Sequence, residues 1–333
     1  MNDVEKTVAG VSLGSDEFAA GIRADLARVE QVIADGIAEA DGCVIEEALH
    51  LFQAGGKRFR PMFTVLSGRI GGAPSDQVIT AAAAMELTHL ATLYHDDVMD
   101  EADTRRGAPS ANARWGNSIA ILAGDYLFAR ASAYGAELGP RAVGVIAKCF
   151  GELVTGQMLE LKGPGSGDPV QHYLDTIWGK TGSLIATCGL LGALHGGADE
   201  ATAQRMYRIG AAIGMAFQIS DDIIDISSIA TESGKTPGTD LREGVFTLPV
   251  HYALRDSGPE ADRLREILVG PVTDDALVDE AIELLGRSAG MREAQAVLGR
   301  YADEARAELA ALPESEPRAS LESLVTFTVA RLG

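Results

Sequence analysis

Apolar and polar positions alternate through most of this chain with the period of a helix. Phe18, Ile22, Leu26, Val29, Ile33 and Ile37 make a stripe that one helical face would bury. A second pattern over 44–53 stops at Gly55-Gly56, and Pro61 is well placed to open the next helix after Lys57-Arg58-Phe59-Arg60. Gly71-Gly72-Ala73-Pro74 breaks that helix, and a long apolar pattern starts near Ser75 and runs to about residue 100. Further helical patterns cover 118–137, 141–162, 170–192 and 201–226, the third interrupted at Trp178-Gly179-Lys180-Thr181-Gly182. Glycine, proline and polar residues mark 104–117 and 232–249 as loops, and helical patterns with charged faces fill 260–333. No strand alternation and no internal repeat is evident. The expectation is an all-α protein: a single large helical bundle over 16–333, behind an aperiodic, mobile tail over 1–15.

Composition fits that picture and narrows the partners. The 333 residues are 46% apolar and 5% aromatic, enough for a substantial core and better suited to helix than to sheet. A formal net charge of −20 argues against a nucleic-acid partner. It leaves anionic substrates open, provided metals and local basic residues reverse the field where they bind. Cys43, Cys149 and Cys188 are odd in number, lack ligand spacing, and read as reduced thiols of a cytoplasmic protein. The N-terminus has no basic region followed by an apolar run, so no signal peptide is expected. Nor does any uninterrupted apolar segment read as long enough to cross a bilayer.

The pattern from Ser75 changes character at its end, in MELTHLATLYHDDVMDEADTRRG over 85–107. Asp96 and Asp100 stand one helical turn apart on one face, with Asp97 beside them. The same i, i+1, i+4 spacing returns at Asp221, Asp222 and Asp225, inside the apolar run FQISDDIIDI over 217–226. Carboxylates among so many isoleucines are costly to bury unless neutralised. Hard oxygen ligands in this arrangement suit Mg2+, which takes one or two carboxylates plus substrate phosphates. Two facing clusters would hold a diphosphate through several such ions. Arg105 and Arg106, a turn beyond the first cluster, are placed to grip phosphate oxygens bidentately. Lys57 and Arg60, with the backbone N–H groups of the helix start, make an anion site, although alone the stretch reads as a solvated basic turn. Lys180 and Thr181, flanked by glycines, suit a phosphate donor and a nearby hydroxyl dipole, although alone they read as surface.

Taken together, DDVMD followed by ADTRRG, the second cluster DDIID and the upstream GGKRFRP resemble the trans-isoprenyl diphosphate synthase (polyprenyl synthetase) family. The resemblance covers about residues 45–250, with the motifs in the family's order. It implies the isoprenoid synthase fold around a central active-site cavity, a homodimer, and condensation of isopentenyl diphosphate with an allylic diphosphate. It implies about three Mg2+ ions per site. Asp96, Asp100 and Asp221 would bridge them, supported by Asp97, Asp222 and Asp225. By the same resemblance Lys57, Arg60, His89 and Arg106 hold the diphosphate of isopentenyl diphosphate, and Arg105, Lys180 and Lys235 that of the allylic substrate. The oxygens of Thr181 and Gln218 lie near the allylic cation, so Lys180, Thr181 and Gln218 are the expected catalytic residues. Asp240 would frame the loop over the site. Many members carry a lysine where this chain has Val245, which removes a phosphate contact and leaves open whether Arg242 takes its place. His95, unlike His89, is read as structuring its helix.

Product length is read from the helix that carries the first cluster. Ala91, Thr92, Thr88 and Met85 lie below Asp96, none of them aromatic, and Tyr94 should point elsewhere. Family members typically stop growth with a Phe or Tyr at the positions of Ala91 or Thr92. Small residues there predict a deep tunnel. Two helical turns give only about 11 Å of it, and by family analogy the expected product is long-chain, roughly six to ten isoprene units, as for a menaquinone side chain. The rivals are a short-chain farnesyl or geranylgeranyl diphosphate synthase, a terpene cyclase, and a non-catalytic subunit of a heteromer. A cyclase usually lacks a second complete DDxxD, and a non-catalytic subunit predicts decay of one cluster; here both are intact.

Overall fold

A computed structural model describes residues 7–8, 10–40, 42, 44–72, 75–227 and 237–330. Among these, extended pairing is confined to two short hairpins, Thr7–Val8 with Val11–Ser12 and Thr104–Arg105 with Ala108–Pro109; helices carry the fold. The helices Asp16–Ala38, Ile45–Gln53, Phe59–Gly71, Asp76–Met99, Asn117–Glu137, Pro140–Lys162 and Glu200–Ser227 fall where the periodicity places them. Side-chain caps explain several starts. Ser15 accepts from the Phe18 amide, Ser75 from Val78 and Asp168 from Val170, each satisfying an amide that the first turn leaves unpaired.

Four places depart from the sequence expectation. The described part of 7–15 is no loose tail: Val8, Val11 and Leu13 are buried, and the Ser15 amide donates to Glu316 Oε1 at 2.9 Å. Three apolar residues at near-alternate spacing are enough to seat a hairpin on the first helix. Residues 104–117 hold the second hairpin and the helix Ala111–Trp115 rather than plain loop. The glycine-flanked interruption at 178–182 is a single π-helical turn, Trp178–Gly182, that joins Pro169–Ile177 to Ser183–His195 without a break. Finally, two helices are long and apolar enough to cross a membrane by length and composition: Pro140–Lys162 and Pro169–His195. A window mean tolerates the few charges that interrupt a strictly apolar run, which is why both escaped the search for one. The second is a core helix, 83% buried over its apolar window; the first is only 33% buried.

Within the all-α fold the chain groups into two compact units. The first comprises residues 1–151, 184–210 and 311–323. Its centre is Asp76–Met99, whose Ala81, Ala82, Ala83 and Ala84 are buried and small enough for close packing. Tyr94 points to Ile45–Gln53, its hydroxyl donating to the Glu47 carbonyl and accepting from the Leu51 amide at 3.2 Å. A Cβ at Gly124 would stand 2.5 Å from His95 Nε2, so the small residue lets the imidazole pack on Asn117–Glu137. His95 thus joins two helices, as its sequence context suggested. The second unit comprises residues 152–183, 211–310 and 324–333. Its core sets Ile219, Ile223 and Ile226 among Val170, Tyr173, Ile177, Leu248, Leu264 and Val297.

Candidate active site

Half of the expected machinery lies in the first unit. Asp76–Met99 ends in Asp96, Asp97 and its C-cap Asp100, with no basic residue in the last turn. The macrodipole is negative at that end, so three carboxylates pile charge where a helix least favours it, and a cation is the remedy. Asp97 is fully buried; its Oδ1 accepts from Arg105 Nε at 2.6 Å, and its Oδ2 is buried with no hydrogen-bond partner. Burial pushes the Asp97 carboxyl above its usual range against the opposing pull of Arg105. Asp96 is half-buried and Asp100 exposed, so these two have the solvent access a metal ligand needs.

The basic residues collect around His89. Burial, with the guanidinium groups of Arg60, Arg106, Arg105 and Arg58, holds its imidazole well below the usual range. A neutral imidazole offers a hydrogen bond and no charge. Arg106 donates to the Leu51 carbonyl at 2.9 Å and to the Gly55 carbonyl, tying its hairpin to the end of Ile45–Gln53. Arg58 stacks 4.5 Å from the Phe52 ring centre and donates to Glu30 Oε1 and to the Phe52 carbonyl, both at 2.9 Å. It also reaches Glu86 Oε1 at 3.5 Å, a carboxylate only 3% exposed; burial lowers the Arg106 guanidinium, and Glu86 opposes that fall. Among the described residues the non-glycines with left-handed backbone are Arg58, Glu101 and Arg106, and all three flank this site. Such backbone persists where surrounding contacts over-determine it, as these do. Lys57 is exposed at the tip of the same loop.

The second unit carries the other half. Gly156 and Gly179 pack backbone to backbone: a Cβ at Gly179 would lie 2.5 Å from the Gly156 Cα. That close approach seats the π-helical turn, a feature concentrated at functional sites. On it, Lys180 Nζ donates to Glu160, and Thr181 Oγ1 donates to Gln218 Oε1 at 2.9 Å. Gln218 Nε2 in turn donates to Asp222 Oδ1 at 2.9 Å, and the Tyr173 hydroxyl donates to Asp222 Oδ2. Burial pushes the Asp222 carboxyl up to about 8, with Asp240 and Asp221 adding to the rise and Tyr173 and Gln218 opposing it. Burial and Asp222 carry the Tyr173 phenol well above its usual range, so it stays a donor. Gln157 Nε2 is buried without a hydrogen-bond partner.

These contacts engage part of the second trio. Asp222, expected to support the metals, is 5% exposed and both its oxygens accept hydrogen bonds inside the protein. Asp225, likewise expected at the metals, accepts the Thr239 and Asp240 amides at 3.2 Å each and so starts the helix Thr239–Glu243. Half-buried Asp221 is the member of the trio left with the access of a ligand. Lys235 lies outside the described residues. Arg242, considered as a stand-in for the lysine that Val245 replaces, is paired with Asp275 at 2.6 Å. Among the described residues no three His, Cys, Asp or Glu side chains converge as a preformed metal cage. Mg2+ held largely by substrate oxygens does not require one, and the orphaned Asp97 Oδ2 and the crowded helix ends fit a divalent cation.

Sequence reasoning missed Arg58, Glu86, Glu160 and Tyr173. Glu86 carried a signal, a charge at an apolar position of a helical stripe. The others are defined by partners distant in the chain, which no local pattern shows.

Comparison with known proteins agrees with this chemistry. The polyprenyl synthetase family model matches residues 43–285. The chain is 56% identical to a nonaprenyl diphosphate synthase of Mycobacterium tuberculosis, with 100% of both chains covered. It is 46% identical to a dimethylallyltranstransferase of the same organism, covering 97% of this chain and 98% of that one. Among solved structures it is similar to a geranylgeranyl pyrophosphate synthase of Corynebacterium glutamicum complexed with calcium and isoprenyl diphosphate. There the TM-score is 0.88 at 50% identity, covering 97% of this chain and 100% of the other.

Proposed function

The chain belongs to the polyprenyl synthetase family, with its all-α isoprenoid synthase fold, and from that premise we propose a long-chain trans-polyprenyl diphosphate synthase. The observation that carries the proposal is the pair of carboxylate trios at helix ends without bases, accompanied by guanidinium groups gathered on a neutral His89. Cations gathered beside carboxylates in this way suit a polyanion held together with its metal ions.

In this proposal Lys57, Arg60, His89 and Arg106 bind the diphosphate of isopentenyl diphosphate. Arg105, Lys180 and Lys235 grip the allylic diphosphate, Lys180 exchanging Glu160 for it. Asp96, Asp100 and Asp221 are the ligands for Mg2+, about three ions per site. Bound there, the ions supply charge neutralisation for the leaving diphosphate as its C–O bond ionises. Thr181 and Gln218 present oxygen dipoles to the allylic cation. The isopentenyl double bond attacks that cation, and a proton then passes to the departed diphosphate, since no side chain among the described residues is placed as a better base. The buried thiols Cys149 and Cys188 support a reducing, cytoplasmic setting.

Length follows from Asp76–Met99. Ala91 is fully buried and Thr92 half-buried, and neither is bulky enough to block a tail. The relatives' names include both long-chain and geranylgeranyl products, so a short-chain synthase is the second reading. A homodimer is supported by apolar side chains left in solvent: Ile119, Ile121 and Leu122 on Asn117–Glu137, and Val143, Val154, Met158 and Leu161 on Pro140–Lys162. Sedimentation that gives a monomer would end that part of the proposal.

The test of the activity is elongation of labelled isopentenyl diphosphate with Mg2+ and farnesyl or geranylgeranyl diphosphate, with dephosphorylated products sorted by length. Products of roughly thirty carbons or more are expected, a tail well beyond the about 11 Å of two helical turns. Products ending at fifteen or twenty carbons would favour the short-chain reading.

A further inference from the structure

Thr181 donates its hydroxyl hydrogen to Gln218 Oε1. A hydroxyl has one hydrogen and two lone pairs, so once that hydrogen is committed the oxygen can only accept from anything else that approaches. What commits it is a chain of contacts ending at Tyr173. Asp222 receives two donors, the Tyr173 hydroxyl at Oδ2 and Gln218 Nε2 at Oδ1. Because the Gln218 amide turns its NH2 toward Asp222, it must turn its carbonyl toward Thr181. The orientation of one amide is thereby fixed by a carboxyl group two links from the hydroxyl.

We propose that Tyr173 is a positioning residue for the prenyl transfer step. Through Asp222 and Gln218 it keeps the Thr181 and Gln218 oxygens in one polarity, lone pairs available to an allylic cation and no N–H or O–H turned toward it. The inference rests on the prenyl transfer reading of the site. Tyr173 itself touches no substrate in it. The phenol suits this role, because it is 6% exposed and cannot be drawn off by water. It lies within the core of its unit, between Val170 and Ile177 on its own helix and Ile219 and Ile223 on the facing one, with the His251 ring edge-on at 6.2 Å. Lacking that donor, Asp222 has one oxygen unserved, and it recruits the nearest mobile donor, the Gln218 amide or water. Either change loosens the polarity of the Thr181–Gln218 pair. A cation is far more sensitive to such a change than a neutral substrate, because it interacts with the dipole and not only with the shape.

The experiment uses the full chain with Mg2+ and compares wild type, Tyr173→Phe, Thr181→Val and the double variant. Tyr173→Phe should lower kcat about tenfold to a hundredfold, less than the roughly hundredfold to thousandfold for removing an aligned dipole outright, with KM for both diphosphates within about threefold. An ammonium analogue of the allylic cation, bound together with inorganic pyrophosphate, should lose affinity by the same factor. An allylic thiolodiphosphate, whose prenyl group does not ionise and carries no positive charge, should not. In the Thr181→Val background the Tyr173→Phe change should cost less than about twofold, since the group it acts through is gone. Thr181→Ser, which keeps the hydroxyl, should restore cation affinity to near wild type. Equal loss for the ammonium analogue and the non-ionising thiolodiphosphate, or additive effects in the double variant, would overturn the inference and leave Tyr173 as packing. If Tyr173→Phe does not fold, Asp222→Asn changes the link through which Tyr173 acts while leaving Thr181 and Gln218 in place, and the same two criteria decide. A wild-type protein without elongation activity would sink the prenyl transfer reading itself; an active wild type indifferent to Tyr173→Phe sinks only this inference.

Discussion

The two acidic trios share a spacing, a helix end and a buried middle member, yet their middle carboxylates are held in opposite ways. Asp97 is held by a cation, Arg105, and keeps one oxygen without a partner. Asp222 is held by two neutral donors, Tyr173 and Gln218, and keeps none. The first is therefore electrostatically answered but geometrically incomplete, and the second is complete in its hydrogen bonds while burial disfavours its charge. One motif can thus serve as a half-built ion site in one unit and as the anchor of a dipole chain in the other. The middle residue of the spacing is buried in both trios, and among the outer ones Asp96, Asp100 and Asp221 keep access to solvent while Asp225 is engaged by the Thr239 and Asp240 amides.

The largest effect should come from the outer members. Asp96→Asn or Asp221→Asn should each lower kcat by about a thousandfold, the loss expected when a group that stabilises transition-state charge is removed. Steady-state kinetics check this, and EDTA should abolish turnover in the wild type until Mg2+ is restored. If Asp222→Asn were as damaging to kcat as Asp221→Asn, the distinction between outer and middle members would fail.

Next in size is stability. Asp222→Ala leaves two buried donors unserved and should destabilise the fold by about 2–4 kcal/mol. Asp97→Ala leaves only Arg105, which is partly open to water, and should cost about half as much after allowance for screening. Urea melts decide between them.

A third expectation concerns pH in the metal-free protein. The folded-state Asp222 carboxyl sits at about 8 against an ordinary 3.8, so the native state binds a proton that the unfolded chain releases. Stability from this group is fully present below about pH 4 and is lost as pH rises toward 8. Asp222→Asn should flatten the slope across that window, and Mg2+ with pyrophosphate should do the same in the wild type. Asp97, with its cation, should show less of it. A melting curve that stays level from pH 5 to pH 8 in the wild type without metal would contradict the difference between the trios.

The smallest effect on rate, and the clearest on product, should come from Ala91→Phe or Thr92→Phe: shorter chains at a turnover changed by less than about tenfold. Tyr173→Phe should do the reverse, changing turnover and leaving length alone. Chromatography of the dephosphorylated products shows both.

Helix positions and both trios were legible in the sequence because they depend on periodicity and spacing, which are local. The inward turn of Asp97 and Asp222 was also within reach. Counting back by helical steps from Asp97 meets Tyr94 and Leu90, and from Asp222 meets Ile219 and Met215, all of them buried. The roles of Arg58, Glu160 and Tyr173 were not legible, because each is set by partners brought from elsewhere in the chain. The π-helical turn read as an interruption for a related reason: its glycines answer to the helix opposite and not to their own neighbours.

That last contact has a wider reach. Gly156 and Gly179 meet so closely that each occupies the room where the other's first side-chain carbon would stand. The alignment of Lys180 and Thr181 is therefore inherited from two absences. Evolution can adjust it in one direction only, by prying the helices apart. A side chain at either glycine would therefore shift the turn that carries Lys180 and Thr181, whatever it did to its own helix.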